Sequence, residues 1–281
     1  MEVNQMISKV HITELQDKKG QVVQSAAEIY ESFFVPALFQ QWSPVMVDML
    51  DLSQQQRVLD VACGTGIVAR HVAEQFNNHD QICGIDINEG MLEVAKQKAP
   101  GIRWQLAPAE ALPFDNNSFD AVVCQFGLMF FRNRSAAIQE MLRVLKPGGK
   151  LALAVWDKIE NSPGYKKVTE LLHKLFGEKI ANEMQAPFVL GDRKKLVQLM
   201  DDAGMKNYEL QTVQGTAKFS SINDWVFTDI KGWTLADMID AHQFEQLLTI
   251  SDSELRQFTN DDGEVRFSAP AHIVLTQKNG F

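Results

Sequence analysis

Residues 57–156 alternate between two periods, and that alternation limits the chain to a small set of folds. RVLDVA (57–62), QICGID (81–86), IRWQLA (102–107), FDAVVCQF (119–126) and KLALAVW (150–156) are short apolar runs of strand length. Between them lie helical stretches: residues 64–76 after a glycine turn, residues 90–98, and a segment that Ser135 can cap and that stops at the Lys-Pro-Gly-Gly run 146–149. A loop with Pro113, Asn116 and Asn117 separates the third and fourth runs. Strands alternating with helices at this spacing build βαβ units, and right-handed crossovers put helices on both faces of a parallel sheet.

The flanks are less regular. Residues 21–50 have a helical, aromatic pattern with Tyr30, Phe33, Phe34, Phe39 and Trp42. Pro36 should end or kink that helix, and a second helix is expected near Ser43-Pro44. Downstream, residues 164–176 and 192–203 read as helices, 208–216 as a strand and 221–259 as mostly helix. Residues 265–278 alternate like a final strand pair or one long bent strand, in which Pro270 argues for an edge or a bulge.

Charge narrows the partners. The 27 basic and 36 acidic side chains leave a formal charge of −9, which repels phosphate backbones and anionic lipid, so nucleic acid is an unexpected partner. The three cysteines, Cys63, Cys83 and Cys124, form no CxxC pair and are too few for a disulfide framework, so neither zinc nor another metal is expected. No run approaches the ~18 apolar residues of a membrane span, and the N-terminus does not read as a secretory signal. A cytoplasmic protein without stable membrane insertion, monomeric or homodimeric, is the expectation.

The chemistry-bearing feature is the turn DVACGTG (60–66), which closes the first strand and opens a helix. Glycine there lets a ligand approach the backbone, and the helix N-terminus offers free N–H groups. Ligands of an open parallel sheet bind outside the carboxyl ends of its strands. Gly64, Gly66 and Ala69 satisfy a loose dinucleotide fingerprint, with Asp86 at about the expected distance of ~20 residues, so an NAD(P)-dependent reductase is one reading. Asp60 opposes it, because its carboxylate would face the pyrophosphate. The same carboxylate would attract a cationic ligand such as S-adenosylmethionine. Asp86 can accept from ribose hydroxyls of either cofactor.

Four ordered segments, VLDVACGTG (58–66), GIDINEGML (84–92), AEALPFDNNSFDAVVCQFGLMFF (109–131) and LRVLKPGGKLALAVW (142–156), resemble the successive motifs of the class I S-adenosylmethionine-dependent methyltransferases. They are most similar to the small-molecule branch that includes the ubiquinone and menaquinone methyltransferases. The resemblance implies an α/β Rossmann-like seven-stranded sheet, mostly parallel with a last antiparallel strand, helices on both faces and helical lid elements. It also implies methyl transfer from S-adenosyl-L-methionine to a small-molecule acceptor, with S-adenosyl-L-homocysteine as product. A cofactor-binding module without catalysis is the other alternative.

Carried over by position, Asp60, Ala62, Gly64 and Gly66 would line the methionine and ribose part of the cofactor, and Asp86 would bind the ribose hydroxyls. Ile87 and Met91 would pack on the adenine, Ala109 and Glu110 would border its edge, and Gln125 and Phe126 would lie beneath the methionine moiety. The family often has glycine where Ala62 stands, and alanine fits if φ stays negative. Many members have aspartate where Pro108 stands, so Glu110 or a backbone carbonyl must replace an adenine contact.

Residues 1–50 are read as an N-terminal helical lid and 51–281 as the methyltransferase domain. Its mostly helical insertion at about 221–260 would form part of the acceptor pocket. Tyr30, Phe34, Trp42, Trp225 and Trp233 are the candidate pocket walls. In-line displacement at the sulfonium needs alignment and water exclusion more than a base. The catalytic residues are open, with Tyr30 and His242 the candidates if a base is required.

Overall fold

The computed structural model describes residues 24–77, 79–232 and 234–279. Its centre is a seven-stranded sheet of order β3-β2-β1-β4-β5-β9-β6. The strands are β1 Val58–Val61, β2 Ile82–Asp86, β3 Arg103–Leu106, β4 Phe119–Gln125, β5 Leu145–Trp156, β6 Tyr208–Val213 and β9 Ala271–Gln277. The first five pair in parallel. β9 runs antiparallel between β5 and β6. All four residues of β1 are buried, as expected of a central strand covered on both faces.

The order reverses at β1, because the chain leaves β3 on one side and returns as β4 on the other. The crevice between the carboxyl ends of β1 and β4 is therefore the topological switch point. Helices α3 Ile67–Phe76 and α4 Glu89–Lys98 connect β1 to β2 and β2 to β3, while α5 Arg134–Val144 connects β4 to β5. Asn133 caps α5, accepting from the Ala136 N–H at 3.0 Å. Ser135 lies inside the first turn instead, because a cap oxygen must reach the third N–H beyond it.

The N-terminal segment differs from its expected course. Helix α1, Gln24–Ile29, does not end or simply kink at Pro36; it continues as a π-helix, Tyr30–Phe39. The Gln40 N–H donates to the Val35 carbonyl five residues back, at 2.8 Å. An α-helical proline clashes with the carbonyl of residue i−4, and the wider turn relieves that contact. Helix α2, Trp42–Leu50, follows. Arg70 of α3 donates to both carboxylate oxygens of Glu31, at 2.8 and 2.9 Å. Gln41 exchanges two hydrogen bonds with the Thr216 backbone. The π-helix is thus tied down at both ends.

Helices α6 Pro163–Phe176, α7 Glu178–Gln185 and α8 Arg193–Asp202 follow β5. The stretch 265–278 is two strands, one of the two expected alternatives: β8, Val265–Ser268, is the edge of a small ribbon, and β9 lies inside the main sheet. β8 pairs with β7, Thr216–Phe219, in that separate ribbon. The chain then passes Pro270 and enters the main sheet as β9. Proline is tolerated because it falls between the two strands, where its carbonyl accepts from the Asp157 N–H at 3.0 Å. Helices α9 Ile222–Lys231 and α10 Ala241–Glu254 fill the interval between β7 and β8.

Two glycines let β3 close over the loop. An added Cβ would lie 2.2 Å from the Trp104 ring at Gly66 and 2.3 Å from it at Gly84. Trp104 is itself held by its indole N–H, which donates to the Ala99 carbonyl at 2.9 Å. Gly84→Ala should therefore cost about 1–3 kcal/mol, the usual range for overpacking. A denaturant melt would check this, and an unchanged midpoint would mean that Trp104 swings aside freely.

Candidate functional site

The turn after β1 is strained where a ligand would approach. Gly64 has φ +56° and Gly66 φ +83°. Ala62 also lies in the left-handed region, at φ +55°, so the condition under which alanine would fit without strain is not met. The turn needs this conformation whichever residue occupies it, and alanine bears the strain that glycine avoids. Phe126, just past β4 across the crevice, has φ +56° as well. Non-glycine residues held in this region cluster at functional sites.

Two carboxylates flank the turn. Asp60 is 1% exposed, and its Oδ2 accepts from the Ala69 N–H in the first turn of α3 at 3.0 Å. Burial pushes its carboxyl up to about 7, against the lowering effect of that bond, and the charge of Asp86 raises it further. Asp86 ends β2. Its two oxygens accept from the Gly64 and Asn88 N–H groups, each at 2.8 Å, and burial raises its pKa despite those bonds. A carboxylate has about four acceptor sites, so Asp86 retains capacity for further donors. Asn88 caps α4 through the Met91 N–H. Ile87, beside Asp86, is 68% exposed, an apolar shelf open to solvent.

Aromatic side chains cover the turn. The Tyr30 ring lies 3.8 Å from the position of a Gly64 Cβ and stacks on Phe39 at 5.2 Å. Phe39 touches Phe126 at 5.7 Å and Trp156 at 6.0 Å, and Phe126 stacks on Trp156 at 3.8 Å and 8°. Two buried polar atoms near this cluster, Thr65 Oγ1 and Gln125 Oε1, have no hydrogen-bond partner among the described residues. Beyond Phe39 and Trp156 lies a cavity of about 40 Å³. Phe34, Leu38, Tyr165, Met184, Phe188 and Asp229 are among the other residues that line it.

Comparison with known proteins bears on what this arrangement belongs to. Residues 59–153 match the methyltransferase domain family, and residues 6–103 match the protein-L-isoaspartate(D-aspartate) O-methyltransferase family. The ubiquinone/menaquinone biosynthesis C-methyltransferase UbiE of Geobacter sulfurreducens is 41% identical over 118 residues, 40% of this chain and 46% of that protein. The UbiE protein of Cupriavidus necator is 32% identical over 219 residues, 72% of this chain and 89% of that protein. The chain belongs to the class I S-adenosylmethionine-dependent methyltransferases. The structure of Haemonchus contortus phosphoethanolamine N-methyltransferase 2 in complex with S-adenosyl-L-methionine superimposes with a TM-score of 0.59 at 16% identity. That match covers 94% of this chain and 59% of the other, and it reflects the shared fold.

This methyltransferase brings Asp60, Ala62, Gly64, Gly66, Asp86, Gln125 and Phe126 to the carboxyl ends of β1, β2 and β4. Met91 is buried among Ala27, Val94 and Tyr30. Ala109 is buried too, but Glu110 turns elsewhere: its Oε1 accepts from the Arg132 and Asn133 N–H groups before α5. Both bonds fall on Oε1 at the start of α5, and a carboxylate has about four acceptor sites, so Glu110 retains acceptor capacity.

The pocket candidates divide. Phe34 lines the cavity and Tyr30 covers the turn. Trp42 instead packs edge-on against Phe126 and Trp156 as core. Trp225 is fully buried against Phe219, Phe258 and Phe267. Both rings serve packing because their helices turn those faces inward. Trp233 lies outside the described residues. His242 is exposed on the first turn of α10 and does not line the cavity. Tyr30 is a poor base: burial, then the charges of Asp86, Glu31 and Asp60, drive its phenol far above the usual range. Sequence reasoning missed Leu38, Trp156, Tyr165, Met184, Phe188 and Asp229. One signal was available for Asp229: it follows Trp225 by four and Val226 by three, an acid on an apolar helix face.

Proposed function

We propose that S-adenosyl-L-methionine lies along the turn 60–66 and that its methyl group passes to a small, largely apolar acceptor held in the cavity beyond Phe39 and Trp156. The observation that carries this reading is the pair of buried carboxylates, Asp60 and Asp86, on either side of a glycine turn. A pyrophosphate would meet both of them as like charges in a dry crevice. An ammonium and two ribose hydroxyls suit them. Thr65 Oγ1 and Gln125 Oε1, both buried and unpartnered, are further polar atoms available to such a ligand.

When bound, the cofactor supplies an electrophilic methyl group and leaves as the neutral thioether S-adenosyl-L-homocysteine. The chain's own residues hold and shield. Asp60 attracts the ammonium, Asp86 accepts from the ribose, and Ile87 and Met91 offer apolar surface to the base. Phe39, Phe126 and Trp156 keep water from the line between turn and cavity, which favours a reaction in which charge disperses. Residues 24–50 act as the described part of the lid. Of the insertion, α9 contributes Asp229 to the acceptor side.

Thermal-shift melts with S-adenosyl-L-homocysteine, NADH and NADPH test the cofactor. A ligand at 100 times its Kd adds ~2.7 kcal/mol, a rise on the order of 5–10 °C for a domain of this size. Only S-adenosyl-L-homocysteine should give it. A rise with a nicotinamide nucleotide alone would overturn the reading.

A further inference from the structure

Most of the cavity wall is apolar. Among the described residues, Tyr165 of α6, Glu183 of α7 and Asp229 of α9 are its only titratable groups, and no lysine or arginine lines it. Tyr165 and Asp229 are 5% and 3% exposed. Tyr165 Oη and Asp229 Oδ2 have no well-formed hydrogen bond among the described residues; the nearby Trp225 indole, whose N–H is also unpaired, partly offsets the effect of burial on Asp229. Burying such atoms unpaired costs stability, and leucine and phenylalanine would pack these helices without that cost. Two independent helices each bring a residue with one orphaned, fully buried oxygen to the lining of the same cavity. Burial raises both groups well above their usual ranges, with the charge of Asp229 adding to the effect on Tyr165. Burial thus favours the protonated form of each, in which it carries an O–H donor.

We propose that Tyr165 and Asp229 form the polar end of the acceptor site and together bind an uncharged oxygen, a hydroxyl or a carbonyl, of an otherwise apolar small molecule. This rests on the methyl-transfer reading and extends it to the acceptor's chemistry. Phe39 and Trp156 line the cavity on one side and contact Phe126 on the other. The cavity, at about 40 Å³, is smaller than an aromatic ring needs, so an acceptor anchored at Tyr165 and Asp229 extends out of it, toward the glycine turn. Anionic acceptors are disfavoured: among the described residues no lysine or arginine lines the cavity, and Glu183 and Asp229 are both acids. The pair thus selects by charge, and the aromatic walls select by shape.

Ligand-observed NMR titration of the full chain with 4-methylphenol, 4-methylbenzoate and toluene tests this, with and without saturating S-adenosyl-L-homocysteine. The wild type should bind 4-methylphenol at least tenfold more tightly than 4-methylbenzoate. Tyr165→Phe and Asp229→Leu should each weaken 4-methylphenol about fivefold, the effect of one neutral hydrogen bond, and leave toluene unchanged. Asp229→Asn, which keeps a donor, should stay close to wild type. Asp229→Leu should also melt no lower than wild type, whereas an acid with a structural role would lower the melting temperature on removal. Equal binding of 4-methylphenol by wild type, Tyr165→Phe and Asp229→Leu would overturn the proposal. So would equal or tighter binding of 4-methylbenzoate, or no binding of 4-methylphenol at all. Failure of the wild type to bind S-adenosyl-L-homocysteine would overturn the cofactor reading instead, and the titrations without it would still decide the role of the pair.

Discussion

Asp86→Ala is expected to abolish the stabilisation by S-adenosyl-L-homocysteine and to weaken its binding by a factor of roughly 10²–10⁴. The range follows from losing two hydrogen bonds from ribose hydroxyls to a charged acceptor, about 1.5–3 kcal/mol each, at 1.4 kcal/mol per decade. The loss also reaches the cradle itself. Asp86 holds the Gly64 N–H on one oxygen and the Asn88 N–H on the other. Alanine frees both donors at once, at the turn and at the start of α4. The cost to the fold is partly offset, because the buried carboxylate is itself costly. Asp86→Asn retains one acceptor and should fall between alanine and wild type. It also carries the test should the alanine variant fold poorly. Titration calorimetry with S-adenosyl-L-homocysteine checks the order, and a Kd for Asp86→Ala within threefold of wild type would remove Asp86 from the site.

The five parallel strands could be read from the sequence because each is a short apolar run bounded by glycine, proline or asparagine. A strand covered on both faces needs no partner residue to announce itself, and β1 is the clearest case. Asp60 and Asp86 were visible for a related reason: an acid at the end of an apolar run is an exception to its surroundings. The π-helix was not visible. It depends on the chain closing one residue wider around Pro36, a choice made between backbone hydrogen bonds, while the side-chain pattern is the same either way. The division of 265–278 between two sheets escaped too, since alternation reports which face is buried but not which neighbour pairs. Trp42 and Trp225 were misplaced because a large aromatic fits a core and a pocket equally well by type. The cavity itself is assembled from the π-helix, β5, α6, α7 and α9, and most of its residues follow the same apolar period as core positions.

The affinity for the cofactor should rise with pH through the titration of Asp60. The carboxyl has a pKa of about 7 in the unliganded fold, raised chiefly by burial. The pKa is raised, so the folded state binds the proton more tightly than the unfolded chain. Stability linked to Asp60 is therefore fully present below about pH 4 and is lost as pH rises toward 7. A ligand ammonium reverses that preference, because it stabilises only the ionised carboxylate. Binding below pH 7 must then release a proton, and the affinity should climb about tenfold per pH unit from pH 5 to 7 before levelling above 8. Asp86, Tyr30 and Cys63 also feel this field, so the slope alone does not identify the group. Asp60→Asn does: it should bind S-adenosyl-L-homocysteine weakly, with no slope between pH 5 and 7 and no proton release. Calorimetry at pH 6 in two buffers of different ionisation enthalpy reads the proton count directly. Close to one proton is expected for wild type and close to none for the variant. A wild type that releases no proton would mean that Asp60 serves only the Ala69 N–H at the start of α3.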